Sequence, residues 1–323
     1  MLVRALILAI AVVVLWLPPP TRAADKIETG FVGSPTLTSW PWYVGMRRGF
    51  FADAGIEIDP VYVPSAPGMV QQLSAGSLGM ISGTGLTDPL YAIDKGAPIA
   101  VVRVTSQASP YIMVSKPEIK SIKELKGKTI VIGGLTDITR VYFDRMMAGN
   151  GLKTGDYDLT VIGATPGRYA ALKSGSVDAT LLIPPILFQA TAAGFNDIGA
   201  AVDYAKDLPF GGWIVNRTWA AAPGHTEALK RLLPAFNKSL AWLLDEANRA
   251  DAIAILQKEG NLQEQEVVNS YNFFRKLDIF EKTGKLSRKQ LGSLMAVLVQ
   301  MGELQKPIPM EKIGLDGVSQ IGD

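Results

Sequence analysis

Cysteine is absent from this chain of 323 residues, and histidine occurs once. The first absence excludes a disulfide framework, so the fold must rest on its hydrophobic core. Together the two exclude the usual zinc, iron and copper ligand sets, which draw on Cys and His. The lone His225, in AAPGHTEALKRLL, follows Pro223 and Gly224. It reads as a solvent-facing residue at the start of a helix. A serine triad would need it to stand opposite a serine by accident. No GxSxG elbow, no phosphate loop ending in Gly-Lys-Ser/Thr and no GxGxxG after a strand is present. Gly83-Thr84-Gly85 is too short for a nucleotide fingerprint.

An excess of one charge is also missing. The sequence has 32 Lys and Arg against 30 Asp and Glu, a net charge of +2. Arg4 and Arg22 are the only charged residues among the first 23, so the chain without that segment is neutral. Nothing here attracts nucleic acid or anionic lipid in bulk. The segment itself, MLVRALILAIAVVVLWLPPPTRAADK, reads as a secretory signal. Arg4 precedes an apolar run from Ala5 to Leu17, then Pro18–Pro20, with Thr21 and Ala23 as the small residues before the cut. Cleavage after Ala23 is expected, because the run is shorter than the ~20 residues that span a bilayer. Without cysteine there is no N-terminal thiol to lipidate. The expected location is therefore a Gram-negative periplasm, as a soluble protein.

What is present is a core and a repeat. Apolar residues make up 48% of the chain and charged ones 19%, enough to bury a core, and the length suits two domains. LSAGSLGMIS (73–82) returns ninety-nine positions later as LKSGSVDATL (172–181). Read outward, the first copy extends to strands at IETGFVG (27–33), IEIDPVYV (56–63), LGMISG and PIAVVRVT. Helices lie between them at WPWYVGMRRGFFADAG, APGMVQQLSAGS and TDPLYAIDKG. The second copy gives strands at KTIVIGG (128–134), DLTVIGA (158–164) and VDATLLI, with helices ITRVYFDRMMAGNG, PGRYAALKSGS and PPILFQATAAG. Alternating strands and helices predict two α/β lobes, each with a mostly parallel sheet flanked by helices on both faces. The recurring glycines read as helix stops in the left-handed conformation. A strand at 212–215 then leads into a long amphipathic helix with Leu229, Leu232, Leu233, Phe236 and Leu240 on one side. Helices dominate to the end, one of them capped by Ser287.

Open parallel sheets bind ligands beyond the carboxyl ends of their strands, where helix N-termini offer free N–H groups. Two such lobes facing each other make a cleft suited to a small anion. The loops that reach it are 34–41, 83–88, 105–109, 133–140, 184–185 and 210–213. The candidate ligand contacts within them are Ser39, Trp40, Thr84, Gly85, Thr87, Ser106, Thr136, Asp137, Thr139, Arg140, Pro184 and Trp213. Ser39, Thr87 and Thr136 can equally cap helices. Trp40 and Trp213 are the candidate aromatic walls, whereas Trp42 and Tyr43 fall inside a helix and suit the core. Of three arginines, Arg140 ranks first as anion partner, ahead of Arg103. Arg168 opens a helix expected at the far end of its lobe, which points to a surface role.

At YVGMRRGFFADAGIEID, SIKELKGKTIVIG and ALKSGSVDATLL the chain resembles solute-binding proteins of ABC importers of the nitrate, sulfonate and taurine type, a group that includes the NMT1/THI5-like proteins. The likeness runs from about Ile27 to Leu244. It implies a type II periplasmic binding fold, with two hinge-linked lobes joined by crossovers near Ser109 and Lys206–Phe210. Lobe one would hold 27–108 and 211–323, and lobe two 109–210. It further implies a monomer without cofactor or enzymatic activity, closing on a small organic anion and delivering it to a membrane permease. The sequence departs from the family at Gly76-Ser-Leu-Gly79, where an acid usually stands in place of Gly79. The ligand itself stays open. Sulfonates and aliphatic or aromatic carboxylates come first. A pyrimidine or cation comes second, favoured if Asp88 and Asp137 face the cleft. An enzyme on the same fold is disfavoured by the missing cysteines and the export signal. A binding protein that serves a receptor in place of a permease has the same sequence features.

Overall fold

The computed structural model describes residues 24–322. The expected signal segment, 1–23, lies outside the described residues. In chain order the first half runs β1 (Asp25–Val32), α1 (Trp40–Arg47), α2 (Phe50–Asp53), β2 (Ile56–Val63), α3 (Ala66–Ala75), β3 (Met80–Gly85), α4 (Thr87–Asp94) and β4 (Ile99–Ser106). The second runs β5 (Ile112–Ser115), β6 (Thr129–Ile132), α5 (Ile138–Gly149), β7 (Asp158–Val161), α6 (Thr165–Lys173), β8 (Ala179–Leu182), α7 (Ile186–Ala192) and β9 (Asn196–Ala200). The chain then returns through β10 (Gly211–Asn216) into α8 (Arg217–Ala221), α9 (His225–Leu244), α10 (Arg249–Gly260) and α11 (Glu264–Leu277). It ends with β11 (Leu286–Ser287), α12 (Arg288–Gln300), α13 (Met310–Ile313) and β12 (Ile321–Gly322).

Two five-stranded sheets result, ordered β2-β1-β3-β10-β4 and β7-β6-β8-β5-β9. Each has three parallel strands at one side and one antiparallel strand in fourth place. In the first sheet that strand is β10, which pairs with β3 and β4. In the second it is β5, which pairs with β8 and β9. The sheets are therefore mixed, with four strands running one way and one against them, which agrees with the mostly parallel sheets expected from the alternation. The antiparallel strand is in each case the first after a crossover, so it enters its sheet from the opposite direction. The two segments that join the lobes run from β4 to β5 and from β9 to β10.

Local chemistry sets the element ends. The Ser65 hydroxyl accepts from Gly68 N at 3.2 Å to open α3, and the Ser287 hydroxyl accepts from Gln290 N at 3.1 Å to open α12. Gly76 and Gly175 close α3 and α6 with the same φ of +81°, so the repeated turn in the sequence is a repeated turn in space. The single helix expected over residues 40–55 is two, α1 and α2, broken at Arg48–Gly49.

Every residue of β4 and of β10 is buried, as expected for inner strands covered on both faces. One face of the first sheet packs against α1 and α9. There the Trp42 ring lies 4.8 Å from Trp213 and 5.1 Å from Phe236, and its indole N–H donates to the Ser82 hydroxyl at 2.9 Å. The buried stripe of α9 is Leu229, Leu232, Phe236, Leu240 and Leu243. Helix α11 reaches the other lobe, where Phe273 meets Phe188 of α7 at 6.1 Å and Gln189 donates to Glu266 at 3.1 Å.

Candidate functional site

The carboxyl ends of the parallel strands of both sheets, with the amino ends of β5 and β10 between them, face one another and enclose a space of about 30 Å³. The first lobe contributes Val32, Thr36, Thr38 and Ala66 and the turn Gly83-Thr84-Gly85. The second contributes Tyr111, Asp137, the segment from Gly163 to Pro166, Arg168 and Ile183, and Phe210 lies at the returning crossover. Room for a water needs about 10–15 Å³, so the closed gap holds on the order of two water-sized groups.

Arg168 dominates the chemistry of this space. It is 2% exposed, although it belongs to the first turn of α6. Its Nε donates to Leu181 O at 3.1 Å, one terminal nitrogen donates to Gly163 O, and the other donates to the Thr165 hydroxyl at 3.0 Å. The guanidinium lies 5.7 Å from the centre of the Tyr111 ring. Among the described residues no carboxylate stands within ion-pair distance of it. A buried cation held only by neutral acceptors leaves N–H groups and a positive charge for an anion.

Hydroxyls surround it. Thr84 Oγ1 is buried without any hydrogen-bond partner, and the Thr36 and Thr38 hydroxyls pair at 3.0 Å. Burial pushes the Tyr111 hydroxyl up to about 12, partly offset by Arg168, so the phenol stays a neutral donor. Among the described residues Asp137 is the one carboxylate that lines the cavity. It caps α5 by accepting from Thr139 N at 2.7 Å.

The lobes touch along the rim. Ala164 N donates to Pro64 O at 3.1 Å, and Leu37 N donates to Pro184 O at 3.3 Å. The Thr136 hydroxyl of the second lobe donates to Asp88 Oδ1 of the first at 2.5 Å. Burial first, then the neighbouring Asp137 carboxylate, push the Asp88 carboxyl up to about 7, against the pull of the Thr136 hydrogen bond.

Of the residues selected from the sequence, Thr84, Gly85 and Asp137 line the cavity. Pro184 contributes its carbonyl to the rim, and Thr136 forms the contact to Asp88. Thr139 stands behind the wall, where its hydroxyl accepts from Gly133 N at 2.9 Å. Thr87 begins α4 with its hydroxyl buried and unpartnered, away from the cavity lining. Ser106 is buried at the hinge, and its carbonyl accepts from Phe210 N at 2.8 Å.

The structure does not bring Ser39, Trp40, Trp213 or Arg140 to the cavity. Ser39 and Trp40 are buried in the packing around α1, and the Trp40 indole donates to Ala252 O at 2.9 Å. Trp213 lies between Trp42 and Phe236 in the core. Arg140 turns along its own helix to Asp144 at 2.7 Å. Arg103 is fully buried over Trp213 and Phe236 and donates to Asn237 at 2.8 Å. Arg168 corrects the surface role expected for it, because α6 starts at the cleft. His225 stacks on Trp219 at 4.4 Å, with Nδ1 2.7 Å from Trp219 O. Tyr111, Thr36, Thr38 and Thr165 were not singled out in the sequence.

A family model described as NMT1/THI5 like matches residues 37–250. No curated protein matches the chain. Among solved structures, the alkanesulfonate-binding protein SsuA from Xanthomonas axonopodis pv. citri, bound to MOPS, is 17% identical. The match covers 93% of this chain and 100% of that one, with a TM-score of 0.73. The periplasmic nitrate-binding protein NrtA from Synechocystis PCC 6803 is 15% identical over 90% and 84% of the two chains, with a TM-score of 0.68. The desulfurization enzyme DSZB is 15% identical over 91% and 97%, with a TM-score of 0.67. At these identities the likeness establishes a shared fold, one that carries both binding proteins and an enzyme.

Proposed function

The chain belongs to the NMT1/THI5-like family, and from that membership we propose that it is the solute-binding component of an ABC importer. In this reading it works in the periplasm as a soluble monomer, after removal of residues 1–23. Its two lobes, 27–108 with 211–323 and 109–210, close on a small organic anion and hand it to a permease in the inner membrane. No helix among the described residues is long and apolar enough to cross a membrane.

The observation that carries this reading is Arg168, a buried guanidinium at the wall of the interlobe cavity with no carboxylate among the described residues within ion-pair distance. Burying a charge without a direct ion pair is costly, and an anion between the lobes offsets that cost. Thr84 Oγ1 stands at the same cavity as an unspent hydroxyl. The volume favours a compact head such as a sulfonate or carboxylate. An aromatic tail fits only with the lobes farther apart. Asp137 supports a second reading, in which a pyrimidine or another donor-bearing or cationic solute is the ligand.

Native mass spectrometry of the purified protein, followed by thermal shift with nitrate, sulfonates, carboxylates and pyrimidines, tests both. Stabilisation by anions alone supports the first reading. Stabilisation by pyrimidines alone overturns it in favour of the second. Turnover of a bound compound overturns both and makes the protein an enzyme.

A further inference from the structure

We propose that Asp88 and Thr136 form a proton-operated latch between the lobes, so that closure takes up a proton and weakens as the pH rises. The inference rests on the capture reading above, since it concerns how the same cleft closes.

The geometry is an interface between two elements that the hinge can separate. Asp88 stands in the first turn of α4 on the first lobe. Thr136 and Asp137 form the last loop before α5 on the second. The contact from Thr136 Oγ1 to Asp88 Oδ1 is 2.5 Å, and Asp88 is 6% exposed. Closure therefore places one carboxylate out of water beside another. Among the described residues no Lys, Arg or His forms an ion pair with Asp88 to compensate. Lys95 lines the same surface groove but is engaged with Asp94 at 3.6 Å. From α3 the groove receives only uncharged residues, Gln71 and Ser74 the polar ones among them, and from α4 itself the Tyr91 phenol. From beyond α12, Glu303 adds a further negative charge. The N-terminus of α4 and the Thr136 hydroxyl favour the charged form, and burial with Asp137 outweighs them.

Opening the lobes wets Asp88 and moves it from Asp137, which removes both causes and returns the carboxyl toward its ordinary 3.8. The closed form then binds the proton more tightly than the open form, so protonation favours closure. Below about pH 4 both forms are protonated and the closing equilibrium is flat at its maximum. Between about pH 4 and 7 it falls by up to about tenfold per pH unit, and above that it is flat at its minimum. A neutral carboxyl keeps the Thr136 hydrogen bond through Oδ1 while Oδ2 carries the proton.

The test uses the absence of cysteine from the sequence. Gln72→Cys on α3 and Thr160→Cys on β7, both exposed, carry a fluorescent donor and acceptor across the cleft. The interlobe distance is followed from pH 4.5 to 7.5. The expected result is a ratio of closed to open forms that falls at least tenfold across this range. Asp88→Asn should abolish the slope. If Asp88→Asn fails to fold, Asp137→Asn serves, since Asn still caps α5; the fall should then narrow and move to lower pH. A slope unchanged in the variant overturns the latch. A distance that responds to nitrate, methanesulfonate or benzoate but not to pH also overturns it and leaves the capture reading standing. A distance that responds to neither overturns both.

Discussion

Gly85 faces Ile138 across the gap between the lobes with no space for a methyl group. A Cβ on Gly85 would stand 2.3 Å from Ile138 Cγ2 and 2.6 Å from its Cβ. Gly85 ends β3 on one lobe and Ile138 opens α5 on the other, so the contact exists only with the lobes together. Ile138 is buried and β-branched, so it has little freedom to turn aside. Gly85→Ala should therefore prop the cleft open. We expect affinity for the ligand to fall at least tenfold, about 1.4 kcal/mol, while the unfolding midpoint changes little. Calorimetric titration beside urea denaturation checks this. An unchanged affinity would mean that binding needs no closure at this point.

Arg168→Gln removes the charge and part of the donor fork while keeping a polar side chain. A charge-assisted hydrogen bond is worth about 1.5–3 kcal/mol, so affinity for an anionic ligand should fall roughly ten- to a hundredfold. Thermal stability should fall as well, because Leu181 O and Gly163 O lose donors. Arg168→Lys keeps the charge but not the fork and should recover little. A merely structural role for Arg168 would weaken anionic and neutral ligands alike, and the comparison separates the two.

Arg140→Ala should leave ligand affinity within twofold. The side chain pairs with Asp144 one turn along α5, and the cavity lies elsewhere. The expected cost is about 0.3–0.5 kcal/mol of stability, the usual value of such a helical pair. Burial already raises the Asp144 carboxyl, and Arg140 opposes the rise. Without Arg140 the carboxyl should titrate higher still, which carbon-detected NMR can follow. A tenfold loss of affinity would return Arg140 to the site.

The two-lobe α/β architecture was legible because helix stops and buried strands are local signals. The strands that went unread are the ones that tertiary pairing makes. β5 is four residues between Pro110 and Pro117, and β9, NDIGA, contains Asn, Asp and Gly, poor strand formers held by β5. The site was less legible, because position at a strand end does not say which way a side chain turns. Trp213 leaves β10 toward α9 and the core. Arg168 did carry a signal. At the ninety-nine-residue offset of the repeat it aligns with Met69, and Met69 is fully buried. Equivalent helices present equivalent faces, so α6 buries the Arg168 position just as α3 buries Met69. Hydrophobicity alone would assign that position to the surface.

The same repeat makes a prediction about stability. Gly76 and Gly175 share a φ of +81°, where a Cβ is strained whatever the surroundings. Around them there is space. A Cβ on Gly175 would meet nothing within 4 Å, and one on Gly76 would meet only Asn216 Nδ2 at 3.9 Å. Each Gly→Ala change should thus cost about 1 kcal/mol from backbone strain, with no steric contribution to separate the two sites. The turns lie on different lobes, so the double variant should lose about 2 kcal/mol. Neither glycine lines the cavity, and ligand affinity should not move. Urea denaturation of the two single variants and the double checks the equality and the sum. A cost near zero at one site alone would show that only one of the two turns keeps the left-handed conformation in solution, and that the repeat in the sequence is not matched by a repeat in energetics.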